Sequence, residues 1–379
     1  MKRLAVIFVL VLSTVVVVNV AFAYDLASER EKAADWVSGL RVRDGVTYDW
    51  VAVTDTATYG YTYDNALAII AYTSLGDLES ARDLLGFLSQ YQLPDGSFYD
   101  SMFQANGQRR NASRSSGNQA WAFYAIAFYT HQTGDTRYLS MADRVADWLV
   151  IRQDPSDGGM TGGLNANGSE RHWTSTEHNV DAYFAFKLYS VVRNDSYYLD
   201  IANRCKDWLL NVGWNAAERR FNTGENDPSK FVDAQSLGSI FLNDIGDFEK
   251  QKAVLKYTQR NFRTKKKFSQ GKDRQGYSGF SYEAKDGSFW WEGTVQMAIA
   301  SGRVGATRHE SKYINQILMS DDPSKLGSDN DGDGGFQYAL EGGKHQLGTI
   351  EQPSPGLWLI LAINDYLEDK PTVFYPTVP

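Results

Sequence analysis

The chain of 379 residues carries 46 acidic against 38 basic side chains, a formal charge of −8, so it lacks the basic footprint that nucleic acids and other polyanions require. A single cysteine, Cys205, excludes an intramolecular disulfide, and the core alone must stabilise the fold. The 22 Tyr, 19 Phe and 10 Trp exceed the needs of a lean helical core, and aromatic faces are also surfaces on which sugar rings stack.

Lys2 and Arg3, an apolar run from Leu4 to Val20 and then Ala21-Phe22-Ala23 follow the order of a secretory leader, with cleavage expected after Ala23. The alternative is an uncleaved leader that anchors the protein in a membrane, since about 20 apolar residues span a bilayer. No later stretch is long and apolar enough to span. Loss of residues 1–23 leaves 36 basic against 46 acidic residues, a charge of −10, in a secreted or periplasmic protein of residues 24–379. That length would ordinarily suggest two domains; the organisation of the chain argues for one closed unit.

A motif recurs about every 55 to 62 residues: a polar or acidic helix start, an almost wholly apolar helix, then a short Gly-Asp or Asn-Asp turn and a second helix. The apolar members begin near Asp64, Gln119, Glu177, Asp233, Glu292 and Ser354. Trp121 to Tyr129 has no polar face, so as a helix it must be covered on all sides. Ala142, Val145, Ala146, Leu149 and Val150 instead fall at helical spacing with Asp143, Arg144 and Asp147 between them, which describes a helix wet on one side. Matching amphipathic segments lie at 28–42, 78–91, 137–152, 197–212, 248–262 and 308–319, each preceding one apolar helix. An outer and an inner helix, six times over, predict an all-α (α/α)6 barrel, with short β-hairpins admitted in the rim loops.

Pro94-Asp95-Gly96, Asp157-Gly158-Gly159 and Asp333-Gly334-Gly335 punctuate the connections from an outer helix to the next inner one. These connections are longer than a tight turn needs and crowd one rim, where function is expected. Lys265-Lys266-Lys267 reads as a solvated loop. Asp329-Asn330-Asp331-Gly332-Asp333-Gly334 has the alternating acids of a calcium loop, with Asp329, Asp331 and Asp333 as the ligands, but its twelfth position is Leu340 where an EF-hand needs Glu. It reads as an acidic turn, with calcium as the alternative. Five histidines and one cysteine give no His- or Cys-rich metal site, no glycine loop for a nucleotide is visible, and no cofactor is expected.

Tyr63-Asp64-Asn65-Ala66, Ser175-Thr176-Glu177-His178-Asn179 and Trp291-Glu292-Gly293-Thr294 resemble the helix starts of the six-hairpin glycosidase superfamily, and the sixfold repeat extends that resemblance over the whole mature chain as architecture. The resemblance implies an active site in the funnel where the inner helices begin. It also implies a general acid at the start of the third inner helix, which is Glu177 here, and a base near the start of the last ones, Glu292 or Glu351.

The chemistry is consistent with the resemblance, because glycoside hydrolysis needs one protonated carboxyl and one carboxylate on opposite faces of the scissile bond. Asp64, Glu177, Asp233 and Glu292 all sit at inner-helix starts, so the fold gathers them at one mouth. The bland reading is that acids at helix starts answer the macrodipole, and Thr174-Ser175-Thr176-Glu177 matches a capping box in which Glu177 reaches back to a backbone N–H. Asp181, one turn beyond Glu177, together with burial beside Trp173, would push the Glu177 pKa back up. Tyr63, Gln119, Trp173, His178, Asp181, Trp290 and Trp291 are the expected sugar-binding residues, and the partner is an oligo- or polysaccharide. Two rivals stand beside a glycoside hydrolase. One is a non-catalytic glycan-binding barrel. The other is a polysaccharide lyase on an α/α toroid, in which Arg109, Arg110, Arg114 and His178 would face a uronate. An isoprenoid cyclase fails for want of an Asp-Asp motif at an inner-helix start.

Overall fold

The computed structural model describes residues 24–42, 49–103, 109–327, 330–369 and 371–374. The leader expected at residues 1–23, and Asp329 of the acidic turn, lie outside the described residues. Among the described residues, twelve α-helices alternate between two rings. The outer ones are α1 (Leu26–Gly39), α3 (Leu78–Tyr91), α5 (Leu139–Val150), α7 (Ser196–Trp208), α9 (Phe248–Asn261) and α11 (Thr307–Leu318). The inner ones are α2 (Thr62–Leu75), α4 (Ser116–Thr133), α6 (Thr176–Arg193), α8 (Val232–Asp244), α10 (Trp291–Gly302) and α12 (Pro353–Glu368). Each inner helix packs on the next, and α12 returns to α2, so the inner ring closes. This is the (α/α)6 barrel that the alternation of patterns predicts.

Burial follows the two patterns. Ala120 to Tyr129 are all buried in α4, whereas α5 buries Ala142, Val145, Ala146, Trp148 and Leu149 and leaves Arg144 and Asp147 exposed. In space each outer helix leans on the inner helix that precedes it, α3 on α2 and so on, while α1 packs on α12 to seal the ring. The sequence expectation for the first outer helix, 28–42, overshoots: α1 ends at Gly39, and Arg41–Val42 pairs with Trp50–Val51 as a two-stranded ribbon.

Tight turns occupy one rim. Gly76 ends α2 at φ 80° and Asn194 ends α6 at φ 51°, left-handed conformations that release the chain from the helix. Asp77, Asp195 and Asp247 then cap the outer helices, their carboxylates accepting from Ser80, Tyr197 and Lys250 amides. The long connections all lie at the opposite rim, and the strands sit in them. The largest sheet has four antiparallel strands, two of them the hairpin Arg263–Gln270 and Asp273–Phe280. The solvated loop expected at Lys265-Lys266-Lys267 is therefore a strand. Its pattern was hidden because the inward face carries Thr264, Lys266 and Phe268, and Lys266 pairs with Glu341 instead of entering a core.

One device ties this rim to the barrel. The fourth residue of five inner helices reaches back to the main chain of the preceding loop: Asn65 to Val51, Gln119 to Phe98, Asn179 to Met160, Gln235 to Phe221 and Thr294 to Phe280. Asn65, Gln119 and Gln235 also donate to the carbonyl of the same partner, so each closes a two-bond clamp. Buried main-chain groups that would otherwise be orphaned are satisfied in this way, and each loop is held at a set height above its helix.

Deep in the barrel the chain returns on itself. Arg303 binds Asp365 at 2.7 Å and the Val373 carbonyl at 2.7 Å, and Phe374 stacks on Phe184 at 4.4 Å while its amide donates to the Tyr124 hydroxyl.

Candidate active site

The second residue of every inner helix points at one place. Tyr63, Gly117, Glu177, Asp233 and Glu292 line a cavity of about 180 Å3, room for about six waters. The sixth, Ser354, donates to Glu292 Oε2 at 2.9 Å. Gly117 fits this ring because a side chain there would meet the His178 imidazole, with a Cβ only 2.5 Å from its Cδ2. Trp121 and Trp290 wall the cavity, and Tyr282 and Tyr338 reach it from the rim loops. Tyr282 meets Trp290 edge-on at 5.0 Å, and Tyr338 lies 5.9 Å from the same ring, so these loop aromatics form one continuous wall.

The two glutamates have different surroundings. Glu292 is buried and its two oxygens accept from different hydroxyls, Tyr63 at 2.6 Å and Ser354 at 2.9 Å. Tyr63 itself accepts from the Trp358 indole at 2.8 Å, which orients its hydrogen toward Glu292. Burial raises the Glu292 pKa to about 7 against the pull of those donors, with a smaller upward push from Asp233. Glu177 is half-buried at the cavity wall and makes no side-chain hydrogen bond among the described residues. Desolvation, then Asp233 and Glu292, hold its pKa well above the usual carboxylate range.

The capping box expected at Glu177 does not form. Ser175, not Thr174, caps α6, its hydroxyl accepting from the His178 amide, because Thr174 is still in the strand Glu170–Thr174. Glu177 is thus the second helical residue and free to face the cavity. Nor is Asp181 the main cause of the raised Glu177 pKa, which burial and the acids across the cavity dominate. Asp181 is itself driven up, by burial first and then by Glu177 and Asp233.

Asp64 is buried at the third position of α2, its pKa raised by burial and by Glu292. Asp233 stands at about 6, raised by burial and drawn down by the Ala234 amide, which donates to its Oδ1 at 2.6 Å. His178 lines the cavity as a neutral imidazole, since burial and the nearby Arg171 lower its pKa to about 4. The structure therefore gathers Asp64, Glu177, Asp181, Asp233 and Glu292, with Tyr63, His178 and Trp290.

Other expected residues lie elsewhere. Glu351 lines a separate hollow with Trp36, Asp55 and Gln337, because its segment bridges Gln337 rather than starting α12. Gln119 is fully buried and committed to the Phe98 main chain, being the fourth residue of α4 rather than the second. Trp291 has no exposure and packs on Phe289 and Tyr277 behind the cavity wall. Trp173 is half-exposed at the rim, its ring 5.3 Å from that of His178. Of the cations considered for a lyase, Arg114 is paired with Asp95, and Arg110 lies over Tyr59. In the acidic turn the carboxylates that converge are Asp321, Asp331 and Asp333, and both Asp321 oxygens accept glycine amides, from Gly332 and Gly334.

Tyr282, Tyr338, Trp358 and Ser354 belong to this neighbourhood without having been assigned roles from sequence. Tyr282 and Tyr338 sit in rim segments with no periodicity to flag them. Ser354 carried a signal in its spacing, since it stands at the start of the sixth inner helix, with Trp358 one turn further along.

A closed ring of twelve helices with carboxyls and aromatic rings gathered where its inner members begin is the build that the resemblance to six-hairpin glycosidases implies, and the comparisons with known proteins agree with it. The family model described as Glycosyl hydrolase family 76 matches residues 66–230, from α2 to the threshold of α8, and the protein is a carbohydrate-active glycoside hydrolase. No curated protein matches the sequence. Among solved structures, a wild-type glycosidase is 13% identical with a TM-score of 0.66, covering 91% of this chain and 99% of its own. A family 76 mannosidase from Bacteroides thetaiotaomicron VPI-5482 is 14% identical with a TM-score of 0.61, covering 91% of this chain and 100% of its own. A family 76 alpha-mannanase from Bacteroides thetaiotaomicron is 12% identical with a TM-score of 0.61, covering 92% and 98%. At such identities the likeness is one of fold.

Proposed function

We propose that the protein is a secreted family 76-type glycoside hydrolase in which Glu177 is the general acid and Glu292 the carboxylate that activates water or attacks the anomeric carbon. The difference in hydrogen bonding between the two carries the reading. Glu292 is held by two hydroxyl donors, which favour its ionised form and fix its direction, whereas Glu177 has no donor and a pKa raised by burial, as an acid that must keep its proton requires. Asp64, Asp181 and Asp233 are then binding or tuning groups. The substrate is an oligo- or polysaccharide whose terminal or internal ring enters the cavity against Trp290 and Tyr282, with Trp173 as a stacking surface at the rim.

Nucleic acid is disfavoured by the net charge of −8 and by a cavity lined with acids. No helix among the described residues is long and apolar enough to cross a membrane, so attachment would fall to the leader. A lyase reading is weakened because no Lys or Arg lines the cavity among the described residues, leaving a uronate without a counter-charge.

Leaving-group dependence tests the two roles. On a substrate the wild type cleaves, Glu177→Gln should lower turnover by at least about 100-fold, and should recover much of that loss on an aryl glycoside whose leaving group needs no proton. Glu292→Gln should be equally impaired on both. Full activity of Glu177→Gln on the unactivated substrate would remove Glu177 from the reaction.

A further inference from the structure

Polar residues are not spread evenly around the cavity. Acids hold the second position of α6, α8 and α10, whereas the third position is polar in α2, α4 and α6, as Asp64, Asn118 and His178, and is Ala234, Gly293 and Pro355 in the other three. Of the polar three, Asn118 and His178 line the cavity beside Gly117. Asn118 is half-buried, and its amide is held from behind. Its Nδ2 donates to Asp100 Oδ1 at 2.9 Å, the oxygen that also accepts the Ser115 amide at 2.7 Å, and Asp100 Oδ2 accepts the Ser115 hydroxyl at 2.8 Å. Arg171 in turn donates to that hydroxyl at 3.0 Å. A carboxylate that takes these donors offers none, so only the NH2 end of the Asn118 amide can meet it, and the amide oxygen is turned away. That oxygen has no hydrogen-bond partner among the described residues.

A fixed acceptor with no partner, in the wall that also carries Glu177, Asp233 and Glu292, is suited to a hydroxyl of the bound ring. Tyr63 is not available for that task, since its hydroxyl already donates to Glu292 and accepts from Trp358. We propose, building on the hydrolase reading in which this cavity takes a sugar ring, that Asn118 determines specificity by accepting one ring hydroxyl on its Oδ1, and that Asp100 is its positioning residue. Asp100 is 7% exposed and does not line the cavity, so it acts on the sugar only through Asn118. Because Asp100 prevents the amide from turning over, the wall offers an acceptor at this point and no donor. A ring with hydrogen or a methoxy group at the matching carbon leaves the Asn118 oxygen unpaired and is rejected.

Titration calorimetry of the full-length protein with the methyl α-glycosides of glucose, mannose and galactose, and then with the 2-, 3-, 4- and 6-deoxy forms of the one bound most tightly, tests the contact. Asn118→Ala should weaken binding of the parent sugar about 10-fold, and of every deoxy form except one. That one should already bind the wild type about 10-fold more weakly than the parent does and should bind both proteins alike, because the two changes remove the same bond. Asp100→Asn, which keeps the shape but lets the Asn118 amide turn over, should weaken the same hydroxyl contact and no other. A loss equal for all the deoxy forms, no loss at all, or no binding of any of the three glycosides by the wild type overturns the assignment. The readout is binding, so it is separate from turnover. A hydroxyl-specific loss beside full activity of Glu177→Gln would keep Asn118 in its role and sink the acid assigned to hydrolysis, and a uniform loss beside an inactive Glu177→Gln would do the reverse.

Discussion

Tyr63, at the start of the first inner helix, donates its phenolic hydrogen to Glu292 Oε1 at 2.6 Å, joining residues 229 positions apart in sequence. That bond lowers the Glu292 pKa against burial, which has brought it to about 7. A hydrogen bond to a charged group is worth about 1.5–3 kcal/mol, so Tyr63→Phe should move the acid limb of the pH–activity profile upward by about one unit or more. The limb rises as Glu292 loses its proton, so activity at pH 6 should fall more than activity at pH 9. An unmoved limb would mean that Glu292 is not the ionising group. Since neighbouring acids titrate together, the midpoint belongs to the set and not to one residue.

Ser175 and Glu177 separate a stability role from the proposed catalytic one. Ser175 is the helix cap, and Ser175→Ala should cost about 1 kcal/mol of stability with a lower Tm. Glu177→Gln removes a half-buried acid that has no hydrogen-bond partner, so its Tm should equal or exceed that of the wild type while activity collapses. Thermal melts and turnover of the two variants give opposite patterns if these assignments hold, and the same pattern if Glu177 merely supports the helix.

Asp181 sets a pH dependence of stability. Its folded pKa lies well above its ordinary value, so the unfolded chain releases this proton more readily than the folded one. Its contribution is therefore fully present below about pH 4, the unfolded value, and is lost as pH rises toward the folded pKa. Asp181→Asn should melt near the wild-type temperature at pH 4 and several degrees above it at pH 8. A difference that does not change with pH would show that Asp181 keeps the same protonation in both states.

The fold was legible because the barrel writes its two rings in two patterns. Trp121 to Tyr129 can only be an inner helix, and the spacing of Ala142, Val145, Ala146 and Leu149 can only be an outer one with a wet face. The cavity lining was legible at Glu177, Asp233 and Glu292 because acids sit at the second position of their helices. It was misread at Gln119, which stands two residues past the cavity-lining position of its helix and serves as a clamp, and at Glu351, which stands three residues short of that position and off the helix altogether. Polar residues at a helix start look alike in sequence, and which of them faces the axis is set by the crossing of six helices. Tyr282 and Tyr338 were beyond reach for a further reason: their positions depend on loop clamps such as Thr294 on Phe280, which join segments through single hydrogen bonds and leave no periodic trace.

Those clamps can be tested directly. Gln235 is fully buried and binds both the amide and the carbonyl of Phe221, so Gln235→Ala orphans two buried main-chain groups. Each unsatisfied group costs about 1–3 kcal/mol, and Gln235→Glu, which keeps the acceptor but replaces the donor with a buried charge, should be no better. Both variants should unfold at lower denaturant with an unchanged m-value. A loss below about 1 kcal/mol for Gln235→Ala would mean that water enters and satisfies the loop.

Phe374 connects the C-terminal segment to the surroundings of Glu292. Its ring stacks on Phe184, lies 5.0 Å from the Trp121 ring, and is almost wholly buried. Trp121 lines the cavity and meets Tyr63 at 5.5 Å and Trp358 at 5.6 Å, the pair that delivers the hydrogen bond to Glu292. Phe374→Ala would leave a void beneath Trp121, and truncation of a buried Phe costs about 3–5 kcal/mol. Since the void opens under the residues that aim Tyr63, turnover should fall as well, by about 10-fold, with the acid limb displaced in the same direction as in Tyr63→Phe. Phe374→Leu refills most of the volume and should restore both. Reduced stability with the wild-type pH profile and turnover would show that the C-terminal plug supports the barrel without steering Glu292.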